Sequence, residues 1–174
     1  TSSAGGGGTS VSDVHQIGSA VIPLQEPFLI RIRPTRELTE LERSRTVMQW
    51  TSGGRTGVVK VEWKDGWASA NFRDFGSYKL VVDEEPPVIE PVGFSDGANL
   101  SKASRIVFTV RDDRGKFKNV RPELDGKWLR FTNDKGRNFM YTFDENCPRG
   151  SHELIIRAED EAGNQTMRSF KFTR

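Results

Sequence analysis

Apolar and polar residues alternate over short stretches along most of the chain, the two-residue period of strands with one buried face. Phe28, Ile30 and Ile32 share one side of a run whose other side carries Arg31 and Arg33, the pattern of an antiparallel strand with one wet face. Pro23, Pro27 and Pro34 punctuate this region. They put the strands predicted over 20–24 and 28–33 at sheet edges or strand ends, because proline brings no N–H to a ladder. Residues 37–43 are ambiguous, since Leu38 and Leu41 fit one turn of a short helix. Strands are predicted over 46–51 and 56–63, joined by a hairpin turn at Ser52-Gly53-Gly54-Arg55, with Val59, Val61 and Trp63 on one face of the second. Asp65-Gly66 is a two-residue hairpin signal leading to a strand over 67–72. In the next run, 76–82, Tyr78, Leu80 and Val82 share a face.

Asp83-Glu84-Glu85-Pro86-Pro87 then interrupts the pattern. Two consecutive prolines fix φ and supply no donors, so the chain must leave its sheet in an extended form. Val88-Ile89 resumes the apolar signal, which marks a short, stiff joint between two β domains near residue 83. The second half repeats the same grammar. Ile106, Phe108 and Val110 point inward, and Asp112-Asp113-Arg114-Gly115 turns the chain. Asp125-Gly126 turns into a run over 127–131, and Asp134-Lys135-Gly136 turns again. Phe139, Tyr141 and Phe143 line one face, and strands over 152–158 and 166–172 close the set. Short strands with turns this frequent indicate an all-β fold of two tandem antiparallel β-sandwich domains. The boundaries read as a flexible leader over 1–16, a first domain over 17–83 and a second over 84–174.

The Gly/Ser-rich opening, TSSAGGGGTS, has nothing in it to pack and reads as linker. With 174 residues, each domain is small but within the foldable range. Twenty-six basic residues are nearly matched by 24 acidic ones, interspersed along strands; this is a solvated mixed surface and not a nucleic-acid footprint. Cys147 is the only cysteine, which excludes an internal disulfide and a cysteine-rich metal site. The chain begins with Thr and has no apolar run near 18 residues, so neither a signal peptide nor a membrane span is read, and it is taken as a fragment or a processed form.

Several residues carry a family likeness. Gly66-Trp67, Arg73-Asp74-Phe75-Gly76-Ser77-Tyr78, Pro86-Pro87-Val88-Ile89, Asp112-Asp113, Asp125-Gly126-Lys127-Trp128, His152-Glu153-Leu154 and Asp160-Glu161-Ala162-Gly163-Asn164 resemble the C-terminal region of exported Bacteroidetes-type zinc metallopeptidases of the M23 (LytM-like) family. One departure is Asp113-Arg114-Gly115-Lys116-Phe117, where that family shows a Ser-Gly-Ile turn. The resemblance implies that the second domain is immunoglobulin-like. It implies that the chain is a non-catalytic accessory or positioning module, and that its partner is its own N-terminal peptidase domain, in the periplasm or cell envelope. Zinc is expected only in that missing domain.

The zinc site of such enzymes needs His-x-x-x-Asp and His-x-His, because catalytic zinc takes three protein ligands and leaves one position for water. His15 is followed four residues on by Ser19, and His152 two residues on by Leu154. Neither half of the motif exists, so no catalytic residue is assigned and the chain is read as no enzyme. Cys147, before Pro148, has no His or basic partner close in sequence. Calcium is the one cofactor to weigh: Asp83, Asp112, Asp113 and Asp160 are its candidate ligands, against the alternative that Asp, Asn and Gly are simply what tight turns use. Trp50 and Trp63 have strand positions that point to packing. Trp67 and Trp128, directly after turns, are the candidate ligand-binding residues, since an exposed aromatic can stack on a sugar ring. They define the alternative function, a cell-surface or glycan-binding adhesion module, with peptidoglycan or a surface glycan as partner. Arg31, Arg33, Arg36, Arg43 and Arg45 give the first domain a basic bias.

Overall fold

The computed structural model describes residues 8–19, 25–114, 117–134 and 137–174. The strand expected over 20–24, residues 1–7 of the leader, and parts of the turns at 115–116 and 135–136 lie outside the described residues. The chain is nearly all β and divides into two compact units between Glu85 and Pro86, with Asp113, Arg114 and Glu161–Asn164 clustering with the first unit.

In the first unit the described elements are β1 (Thr9–Ser10), β2 (His15–Ile17), β3 (Phe28–Ile32), a single helical turn α1 (Glu40–Ser44), β4 (Thr46–Ser52), β5 (Arg55–Lys60), β6 (Glu62–Lys64), β7 (Trp67–Phe72) and β8 (Gly76–Val82). One sheet runs β1-β8-β4-β5, with β2 also pairing β8, and a three-stranded sheet runs β3-β7-β6. Their inner faces meet in a core of Ile30, Ile32, Met48, Ala68, Tyr78 and Leu80. Among the described residues β3 is an edge strand, as the prolines around it predict. The Lys64–Trp67 hairpin turns on Asp65 (φ 51°) and Gly66 (φ 76°), the left-handed pair that a two-residue turn requires. Gly76 begins β8 so close to β4 that a Cβ there would lie 2.1 Å from the carbonyl oxygen of Thr51; no other residue fits that backbone approach.

Three expectations are corrected here. The leader does not run free to residue 16: Thr9 and Ser10 pair with Val82 and Val81, His15–Ile17 pair with Tyr78 to Gly76, and Val11 is 1% exposed in the core. Backbone hydrogen bonds to β8, with one buried valine, order a stretch whose composition suggests a tether. The strand predicted over 56–63 is two strands, β5 in one sheet and β6 in the other. Buried Val61 sits at the corner between them, so the apolar alternation continues across a change of sheet. The short helix is real, but Leu38 and Leu41 do not share its face: Leu38 is buried ahead of it and Leu41 is 61% exposed. What sets α1 is a capping box, in which Glu42 N donates to Thr39 Oγ1 at 3.2 Å and Thr39 N donates to the Glu42 carboxylate at 2.8 Å.

The second unit contains β9 (Val88–Val92), β10 (Ala98–Asn99), β11 (Arg105–Arg111), β12 (Phe117–Leu124), β13 (Lys127–Trp128), β14 (Thr132–Asp134), β15 (Asn138–Thr142), β16 (Ser151–Asp160) and β17 (Gln165–Thr173). A sheet in the order β10-β17-β16-β12-β13 faces a second in the order β14-β15-β11-β9. Ile106, Phe108 and Val110 of β11 pack with Leu154, Ile156 and Phe170 of the other sheet. Phe139 and Tyr141 complete the buried face of β15, and Phe143 packs at its rim. Here too one predicted strand is shortened. Of the run over 127–131 only Lys127 and Trp128 pair as strand; Leu129 N–H still donates in register to Pro122 O at 3.1 Å, but Pro122 has no N–H to return the bond and the ladder ends there.

Candidate functional site

Each tryptophan of the first unit lies against an arginine. Trp50 lies over Gly57, its partner in the β4–β5 ladder, where a Cβ would come within 2.9 Å of the indole nitrogen, and Arg55 stands 5.9 Å from its ring. Trp63 Nε1 donates to Arg43 O at 3.1 Å, and the Arg43 guanidinium stacks 5.2 Å from the same ring. Both indoles are half-buried against the core. Trp67 is half-buried as well, but on the outer face of the three-stranded sheet. Two guanidiniums lie on it, Arg33 at 4.9 Å and Arg31 at 5.4 Å from the ring centre. The sequence flags Trp67 and the arginines separately; their meeting depends on the pairing of β3 with β7, which brings Ile32 opposite Ala68.

Trp128, in the second unit, is 58% exposed. It follows the tight turn of Asp125 (φ 50°) and Gly126 (φ 77°) and lines an open cavity of about 410 Å³ with Lys127, Leu129, Glu145 and Asn146. Asp125 also borders a second cavity of about 390 Å³, whose wall includes His152, Lys171 and Thr173. Trp67 and Trp128 therefore belong to separate units.

His152 is 8% exposed and both ring nitrogens are engaged, Nδ1 with Asp125 Oδ2 and Nε2 with Pro148 O, each at 2.7 Å. The ring also packs on Phe172, 5.5 Å between centres. Asp125 Oδ1 accepts from Glu153 N at 2.9 Å. Burial alone would raise the Asp125 carboxyl, but the hydrogen bonds from Glu153 N and His152 outweigh it and hold the group below its ordinary range. These contacts tie the Asp125-Gly126 turn to the start of β16, which is a structural use of both residues. Cys147 is fully buried, and burial pushes its thiol up to about 11; at neutral pH it is protonated and a poor nucleophile.

The acidic candidates divide between the units. In the first, Arg114 Nε stands 3.3 Å from Asp113 Oδ2 and 3.9 Å from Asp83 Oδ2, and Asn164 Nδ2 donates to Asp83 O at 2.9 Å. A guanidinium stands beside two of the four proposed calcium ligands. Asp112 and Asp160 belong to the second unit. Among the described residues, no three His, Cys, Asp or Glu side chains gather as metal ligands would. Nor is any helix among them long and apolar enough to cross a membrane.

The Zu5-like domain family matches residues 3–83 and the bacterial Ig-like domain family matches residues 90–173. No curated protein matches the chain. Among solved structures, the endo-beta-1,4-mannanase from Thermotoga petrophila is similar over 52% of this chain and 20% of its own, at 17% identity and a TM-score of 0.42. The fibronectin(III)-like modules of Clostridium thermocellum CbhA are similar over 49% of this chain and 94% of theirs, at 14% identity and a TM-score of 0.33. The first β unit is thus similar to Zu5-like domains and the second to bacterial Ig-like domains, families of which the Ig-like are typically non-catalytic.

Proposed function

We propose that this tandem is a non-catalytic accessory module from the C-terminal part of an exported M23-like peptidoglycan metallopeptidase, acting in the periplasm or cell envelope. The observation that carries the non-catalytic part is the use of His152. It is the one histidine inside the second unit's fold, and both its nitrogens are committed to holding a turn. A general base needs a nitrogen directed at a reacting group. The finer part, the link to an M23-like enzyme, is supported by the sequence likeness that is strongest after Gly66. In this reading the partner is the peptidase domain of the longer protein, where zinc resides, and peptidoglycan is the polymer both approach.

Incubating the chain with purified peptidoglycan and added zinc tests the non-catalytic part. No soluble fragments are expected, and their release by this chain would overturn it. The exposure of Trp128 beside an open cavity favours a second reading, a surface- or glycan-binding adhesion module. Its test is retardation in gels containing a neutral glycan: Trp128→Ala abolishes retardation if the reading holds, and a chain that is never retarded ends it.

A further inference from the structure

The sheet β3-β7-β6 turns Ile30, Ile32, Ala68 and Ala70 to the core and leaves its other face to solvent. The register arranges that outer face in rows. Leu29 stands beside Asn71; Arg31 stands beside Ser69, which Glu62 flanks; and in the last row Lys64 pairs with Trp67, on whose ring Arg33 lies. Two exposed arginines of this unit have carboxylate partners, Arg36 with Glu42 at 2.5 Å and Arg55 with Asp74 at 3.3 Å, whereas Arg43 and Arg73, also exposed, form no ion pair among the described residues. Arg31, Arg33 and Lys64 form no ion pair among the described residues. Along the chain the nearest acidic side chains are Glu62 and Asp65 to Lys64 and Glu26 and Glu37 to the two arginines, and none forms an ion pair with these cations among the described residues.

From this arrangement we propose that the outer face of β3-β7-β6 binds a carboxylate-bearing polysaccharide, its acidic groups on Arg31, Arg33 and Lys64 and a sugar ring along the Trp67 row. A guanidinium stacked on an indole keeps its N–H edge free, and that edge matches a carboxylate with two parallel hydrogen bonds. Two guanidiniums on one ring repel each other, so an anion that bridges them is favoured by charge alone. The three cations gather around one ring, with the Arg31 and Arg33 guanidiniums on Trp67 and Lys64 beside it in the ladder, so neighbouring acidic groups of a polymer meet them together. Nucleic acid fits less well. Three cations are fewer than the roughly six to ten phosphate contacts of a firmly held duplex, and the chain as a whole carries 26 basic against 24 acidic residues. The inference goes beyond the accessory reading and does not depend on it, since the face exists whatever enzyme the longer protein carries.

The test is affinity electrophoresis and calorimetry of the whole chain with polygalacturonate, with dextran as neutral control, at about 50 mM and about 500 mM salt. Polygalacturonate should retard the chain at low salt and much less at high salt, and dextran should not. Arg31→Gln with Arg33→Gln should weaken binding about tenfold or more, and Lys64→Gln alone several-fold, with melting curves unchanged. Lys102→Gln, an exposed cation of the other unit, should bind as the parent does. The proposal is overturned by any of four results: no binding at low salt, equal binding to dextran, unchanged binding by the folded arginine variant, or tighter binding of poly-uridylate than of polygalacturonate.

Discussion

Replacing His152 by alanine measures what the imidazole does for the second unit. The substitution removes two hydrogen bonds of 2.7 Å, to Asp125 Oδ2 and Pro148 O, and the ring contact with Phe172. A net hydrogen bond is worth about 1 kcal/mol, and more where a buried acceptor is left unpaired. The Asp125 side chain is 47% exposed, so water takes over part of its share, and the expected loss is about 2 kcal/mol. For a domain of this size that lowers the melting midpoint by about 10 °C. Urea denaturation followed by far-ultraviolet circular dichroism reads it, and a loss under about 0.5 kcal/mol would refute the structural assignment of this histidine. The pH dependence has a definite sign. Asp125 is depressed below its ordinary value of 3.8 in the folded chain, so its stabilisation is complete above that value. It is lost as pH falls from there through the lower folded value. The stability gap between the parent and Asp125→Asn should therefore close on acidification across that window, and a gap that widens would contradict the assignment.

Three further outcomes follow from particular contacts. Val11→Ala should destabilise the first unit by about 2 kcal/mol in urea titrations, since it empties a fully buried site; a neutral result would return residues 8–16 to linker. Thr39→Ala removes the capping side chain of α1 and should cost about 1 kcal/mol by the same measurement, while Thr39→Ser should restore most of it. Cys147 should react slowly with a thiol-specific disulfide reagent at pH 8 and fast in denaturant, because it is buried with its thiol pushed up to about 11; rapid labelling of the folded chain would contradict that burial.

The parts of the fold that were legible in the sequence are those with local causes. Ile106, Phe108 and Val110 alternate because β11 has one buried face, and the Asp-Gly turns carry their own backbone signal. The capping box of Thr39 and Glu42 was also readable, three residues apart, but the spacing of Leu38 and Leu41 pointed to the wrong cause. Val11 was not readable: one valine among serines gains its burial from β8, which lies about seventy residues away in sequence. The break at Val61 was hidden because the alternation of Val59, Val61 and Trp63 carries on while the hydrogen-bond partners change. For the candidate sites, Trp67 and Trp128 stood out as aromatics after turns. The Arg31 and Arg33 stack on Trp67 and the bond between His152 and Asp125 are made by strand pairing and turn packing across long separations, which composition does not encode.

The central claim is that these two β domains serve a peptidase they do not themselves contain. The most direct measurement compares the longest product of the native gene with this chain, in zinc-dependent release of soluble fragments from purified peptidoglycan. The account predicts zinc-dependent cleavage by the longer protein, abolished by chelation, and none by this chain. Cleavage by this chain alone, or a native product with no zinc-dependent activity, would contradict it.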